Sequence, residues 1–302
     1  AMATLIKGPS LGTVFHEWMH NWYQQVLGSN ESLFAWIDEG FATFAESKVS
    51  RWYDANAAAQ SPFISEREKA QVLASVEKAK LDLPLTQAGS YAGYMALAKS
   101  GLEEPASTHA DHFNTNYAYS NAAYSKGATL LGLLGYVIGD SVRDAVLLNY
   151  YNTWKFKHPN ANDFFRVAEK TSGIQLQWLK EYWVNSTKTI DYGLNNIEVN
   201  ANNANAIISI QRNGKFPMPI EVLVTYKDGT SELHYIPLDL MLGAKPAEGS
   251  VKRMMHTEWQ WVAPSYSFET SKPLSSLKSI EIDPSQRMPD INRSNNKLEI
   301  PN

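Results

Sequence analysis

Over the first two-thirds of the chain, apolar residues recur at intervals of three and four. Thr13 to Val26, Leu33 to Ser50, Glu66 to Leu81, Ala123 to Ile138 and Ser141 to Trp154 each carry such a stripe, the spacing that gathers apolar side chains on one face of a helix. Asn162 to Lys170 and Gln175 to Val184 add two shorter stretches. Stop signals fall where these helices must end: Gly28-Ser29-Asn30, Gly139-Asp140-Ser141 and Gly173. From about Gly193 the period changes to two, in Ala206 to Ile210, Ile220 to Tyr226, Ser231 to Pro237, Tyr266 to Thr270 and Leu277 to Ile282. Lys227-Asp228-Gly229-Thr230 predicts a hairpin turn, Pro217 and Pro219 predict an edge position for the strand after them, and Ala201 to Asn205 reads as an exposed turn. The expected fold is α+β and multidomain, with a mainly α-helical domain over residues 1–192 and a β-sandwich over 193–302.

A length of 302 residues supports that division, since it exceeds what one hydrophobic core usually organises. Nine Trp, fifteen Tyr and 44% hydrophobic residues promise a large aromatic core and exclude wholesale disorder. The net charge of −4 supplies no basic field, so no nucleic-acid partner is expected and a neutral or cationic substrate fits better. The longest apolar run, Ala128 to Ile138, is interrupted by glycine, so no membrane span is expected in this chain. With no cysteine, any metal must be held by histidine and carboxylate. Ala1-Met2-Ala3 reads as an appended start, so the natural N-terminus is expected to be missing.

His16-Glu17-Trp18-Met19-His20 is an HExxH sequence on an expected helix. Its spacing puts both imidazoles on one face, about one turn apart, where they can share a cation. Glu17 cannot comfortably be a third ligand of that ion but can reach a water beside it, as a general base would. Glu39 follows His20 after eighteen residues, within Trp36-Ile37-Asp38-Glu39-Gly40-Phe41. A second, antiparallel helix would bring it to the same point. Two nitrogens and one oxygen with an open fourth position make the ligand set of a catalytic zinc site. Glu46, two turns beyond Glu39, is placed to accept a hydrogen bond from a ligating imidazole. His109, His112, His158, His234 and His256 lack ligand spacing and are expected to be structural or on the surface.

These residues resemble the gluzincin zinc aminopeptidases, the family of aminopeptidase N and leukotriene hydrolase: HExxH, eighteen residues, then Glu within Trp-x-x-Glu-Gly-Phe. Trp22 also fits the family pattern, whereas Asp38 stands where the family usually has Asn. Tyr124-Ser125-Lys126-Gly127 looks like the family's Tyr-x-Lys-Gly segment. The resemblance implies a thermolysin-like catalytic domain with zinc on His16, His20 and Glu39. It also implies Glu17 as base and Tyr124 as the donor to the oxyanion, with a peptide substrate that loses its amino-terminal residue. Two departures stand out. Only fifteen residues precede His16, so the family's amino-terminal β-domain, with its Gly-Ala-Met-Glu-Asn strand, is expected to be missing and to be a partner of this chain. A terminal helical domain after the sandwich is likewise expected to be absent, as in a short family member. A periplasmic or secreted location is favoured over a cytoplasmic one. The rival expectations are a thermolysin-like endopeptidase and a non-catalytic scaffold of the same fold; the scaffold would be expected to lose Glu17, Tyr124 or a ligand.

Overall fold

The computed structural model describes residues 11–56, 65–81 and 87–301. Its helices are α1 Leu11–His20, α2 Ala35–Asn56, α3 Glu66–Leu81, α4 Ala88–Ser100, α5 Asn116–Ser120, α6 Gly127–Ile138, α7 Asp140–Trp154, α8 Ala161–Ser172 and α9 Gln177–Trp183. The strands are β1 Tyr192–Val199, β2 Asn205–Arg212, β3 Ile220–Tyr226, β4 Ser231–Ile236, β5 Lys252–Met255, β6 Ser265–Pro273, β7 Leu277–Ile282 and β8 Lys297–Glu299. A helical region followed by sheets is therefore the architecture, as the change of period predicts.

Two helices depart from the uniform geometry expected of them. The first leaves the α form at His20 and enters a π-turn, Asn21–Val26, and the stretch before α6 is a second π-turn, Asn121–Lys126. One extra residue in a turn leaves an apolar stripe almost unchanged, so periodicity does not report it. Helices α4 and α5 lie where none was expected. Helix α4 is rich in alanine and glycine, which blurs its apolar face; it buries Tyr94 and Leu97, and Leu97 packs with Ala118 and Ala122 of the segment leading to Tyr124.

By compactness the chain divides into one unit of residues up to 133 with 144–167, and another of 134–143 with 168–302. The helical unit is centred on Phe164, whose ring meets Phe41 at 5.0 Å and Tyr150 at 5.2 Å, all three buried. The sheet unit takes in α9 because Trp178, Tyr182 and Trp183 surround the Phe216 ring at 6.2, 5.3 and 6.1 Å. It also takes in Tyr136, whose buried hydroxyl donates to Pro219 O and accepts from Glu221 N, each at 3.1 Å.

The sheets are β1-β2-β6 and β5-β4-β3-β7-β8. All neighbours are antiparallel except β4 and β5, which run parallel. They face one another: His234 of β4 meets Phe268 of β6 at 4.4 Å, and Glu232 accepts from the Ser271 backbone N–H at 3.4 Å. The predicted hairpin forms, with Ile220 opposite Ile236 and Thr225 opposite Ser231. The edge position predicted for β3 is wrong, because β3 pairs with β4 on one side and β7 on the other. Pro217 and Pro219 lie just before the strand, where a missing N–H removes no ladder bond. The short strands β5 and β8 were not expected either; four and three residues carry too little alternation to stand out.

Candidate metal centre

Helices α1 and α2 run antiparallel. Phe15 meets Tyr53 and His16 meets Glu46, while the later His20 meets the earlier Asp38. His16 and His20 lie one turn apart with ring centroids separated by 4.8 Å. His16 Nε2 is 3.0 Å from Glu39 Oε2, and His20 Nε2 is 3.4 Å from the same oxygen. One ligand atom from each of these three side chains lies within 4.8 Å of the other two, and among the described residues no other such group of three His, Cys, Asp or Glu occurs. The three residues expected as ligands are brought together.

The outer faces of both rings are also held by carboxylates. His16 Nδ1 lies 3.2 Å from Glu46 Oε2, the partnership expected of Glu46, and His20 Nδ1 lies 2.7 Å from Asp38 Oδ1. Each ring thus turns Nδ1 outward to a carboxylate and Nε2 inward toward Glu39, the orientation a metal ligand requires. Sequence reasoning gave Asp38 only a small effect on local charge. Its contact with His20 was missed, although the signal is simple: consecutive helical residues point about 100° apart, so Asp38 and Glu39 can reach the two nitrogens of one ring.

The carboxylates govern the titration of the cluster. Burial acts to lower the His16 pKa, but hydrogen bonds to Glu39 and Glu46 outweigh it and raise the value to about 9. His20 rises to about 10, chiefly through its hydrogen bond to Asp38 and then that to Glu39. Burial acts to raise Glu39, yet hydrogen bonds from His16, His20 and Tyr124 hold it at about 2.

Tyr124 sits on the second π-turn, its ring stacked on His16 at 5.7 Å and 15°. Burial and then a hydrogen bond to Glu39 push its pKa above the ordinary tyrosine range, so the phenol keeps its proton as a donor. A glycine contact sets this approach. A Cβ on Gly40 would lie 2.6 Å from the Gly127 backbone, and one on Gly127 would lie 2.6 Å from Trp36 O. Only glycine lets α2 and the start of α6 come this close, next to Glu39 and one turn from Tyr124. Lys126, two residues after Tyr124, is buried and donates to Glu103 at 2.6 Å. Glu17 is exposed on α1. Tyr119, another group missed, titrates above its ordinary value through burial and the nearby charges of Glu39 and Asp38.

The other histidines stand elsewhere. His158 Nδ1 lies 2.9 Å from Gly28 O, tying the end of the first π-turn. His234 is buried, with Nδ1 2.9 Å from His256 Nε2, and His109 caps a short turn by accepting from Asp111 N. The structural roles expected for these three and for His256 fit those contacts, and His112 is exposed.

The sequence pattern described as the peptidase family M1 domain matches residues 8–183. The chain belongs to that family. It is similar to the probable aminopeptidase 1 of Sulfurisphaera tokodaii, 21% identical over 174 residues covering 57% of this chain and 19% of the relative. It is also similar to the membrane alanyl aminopeptidase of Heliothis virescens, 26% identical over 167 residues covering 55% of this chain and 14% of the relative. The chain thus spans under a fifth of either relative's length. Among solved structures, Legionella pneumophila aminopeptidase A in complex with aspartic acid has a likeness over 93% of this chain and 26% of its own, at a TM-score of 0.56 and 13% identity. That likeness extends through the sheets as well as the helices, so the shared fold includes both.

Proposed function

We propose that this M1 chain carries the zinc centre and proton-transfer groups of an aminopeptidase. The observation that supports it most is the convergence of His16 Nε2, His20 Nε2 and a Glu39 oxygen within 4.8 Å, with both outer nitrogens facing carboxylates. Two neutral imidazoles and one carboxylate are the donor set zinc takes in open, catalytic sites, so the residues fit that metal. Zinc bound there would supply a Lewis acid and a water of lowered pKa. Glu17, exposed beside His16, would accept the proton of the attacking water and pass it to the leaving amine. Tyr124 would donate its phenolic hydrogen to the oxygen of the scissile carbonyl as charge develops on it. Glu46 and Asp38 would hold the two rings in register.

The aminopeptidase reading draws on the names of the M1 relatives, and the substrate is proposed to be a peptide with a free amino terminus, bound with help from the family's amino-terminal domain. The test is hydrolysis, by this chain together with such an amino-terminal domain, of an aminoacyl anilide beside the same anilide blocked at its amine. The proposal expects cleavage of the free substrate alone, abolished by a zinc chelator and restored by zinc. Equal cleavage of the blocked compound would favour a thermolysin-like endopeptidase instead.

A further inference from the structure

Asp38 is 4% exposed, and its Oδ1 lies 2.7 Å from His20 Nδ1, while Nε2 of the same ring lies 3.4 Å from Glu39 Oε2. Adjacent residues of one helix therefore hold opposite edges of one imidazole. We infer that Asp38 is a positioning residue whose negative charge, beyond its capacity to accept a hydrogen bond, tightens the hold of the site on zinc. The inference rests on the reading of His16, His20 and Glu39 as zinc ligands.

Two effects of Asp38 on the ring are separable. Any acceptor at Nδ1 fixes the tautomer and leaves the Nε2 lone pair free; an amide oxygen would suffice for that. A carboxylate does more. As Nε2 gives electron density to a cation, the ring gains positive character, and an anion at the opposite edge stabilises that character, raising the basicity of the ligand. The surroundings increase the effect. Asp38, Glu39 and Glu46 place three carboxylates around two imidazoles, and like charges held together away from water repel. A divalent cation relieves that repulsion by leaving the five side chains, with neutral rings, one negative charge in excess. With an amide at position 38 there would be one repulsive partner fewer, and less to gain from the metal. The side-chain contact of Asp38 is with His20, so it acts on the metal through that ring.

The test uses the 302-residue chain, stripped of metal, with zinc affinity measured by competition against a chromogenic chelator at fixed pH. Asp38→Asn keeps the size and the acceptor and removes the charge; it should weaken zinc binding roughly 10–100-fold, the range for loss of an outer partner of a metal ligand. Asp38→Ala should weaken it at least as much. Asp38→Ser, which also removes the charge, carries the same expectation, so the comparison does not hang on one variant folding. At saturating cobalt, Asp38→Asn should keep the visible bands of the wild-type site, because the ligands are the same and only their hold has changed. A merely structural Asp38 would lower the melting temperature of the metal-free variant and leave its zinc affinity alone. Wild-type affinity in folded Asp38→Asn and Asp38→Ser overturns the inference while leaving the ligand assignment standing. A wild-type chain that binds no zinc overturns the ligand assignment and the inference with it.

Discussion

Glu17 follows His16 by one residue, yet His16 is buried and Glu17 exposed, the difference expected between a ligand and a base that works on a water in the open position. Glu17→Gln should therefore leave zinc affinity unchanged and lower kcat by about 10²–10⁴; steady-state kinetics beside elemental analysis checks both halves. Tyr124→Phe removes a donor that is protonated and aimed into the cluster. It should cost about 10²–10³ in kcat with zinc retained, and unchanged turnover would remove Tyr124 from the reaction. His16, His20 and Glu39 were legible because HExxH spacing and one later carboxylate are geometric statements about helices. The contact of Asp38 with His20 was not, since it depends on how the ring is turned, and nothing in a one-dimensional pattern carries that angle.

The site depends on elements whose approach is set by small residues. Gly40→Ala and Gly127→Ala would each put a Cβ about 2.6 Å from the opposing backbone, an overpacking that typically costs about 1–3 kcal/mol. Both should lower the melting temperature, whereas Gly89→Ala, with nothing within 4 Å of the added Cβ on α4, should not. If all three behave alike, the glycine contact does not set the helix spacing. The sheet unit makes a prediction in pH. Burial, then the neighbouring His256, hold the His234 pKa down at about 4, below the ordinary histidine value of 6.5. The unfolded chain thus takes up this proton first as pH falls. The stabilisation is complete above 6.5 and is lost progressively toward 4, on the order of 3 kcal/mol. Thermal unfolding across that range should show a slope that His234→Gln flattens. At this scale the long, strongly striped helices and the β3–β4 hairpin were legible. Helix α4 was hidden by its alanines and glycines, the π-turns by the insensitivity of a stripe to one added residue, and the interior place of β3 by prolines that lie outside the strand.

For the molecule as a whole, the change from helix to strand between Trp183 and Tyr192 was readable in the sequence, while the compact units were not. The sheet unit reaches back to α9 and to residues 134–143 because Phe216 and Tyr136 find their partners there, and such long-range pairings have no local signature. Leu11, Trp18 and Trp22 share one side of the first helical stretch and are 50%, 63% and 45% exposed, an apolar strip of the kind that drives association. The 302-residue chain should elute at a concentration-dependent size, and Trp18→Gln with Trp22→Gln should shift it toward the monomer. The central claim is that His16, His20 and Glu39 together hold zinc. The most direct test is zinc per chain after exhaustive dialysis, by elemental analysis, for the wild type and Glu39→Gln. One zinc per wild-type chain and a small fraction of that in Glu39→Gln is the predicted result; one zinc per chain in both would contradict it.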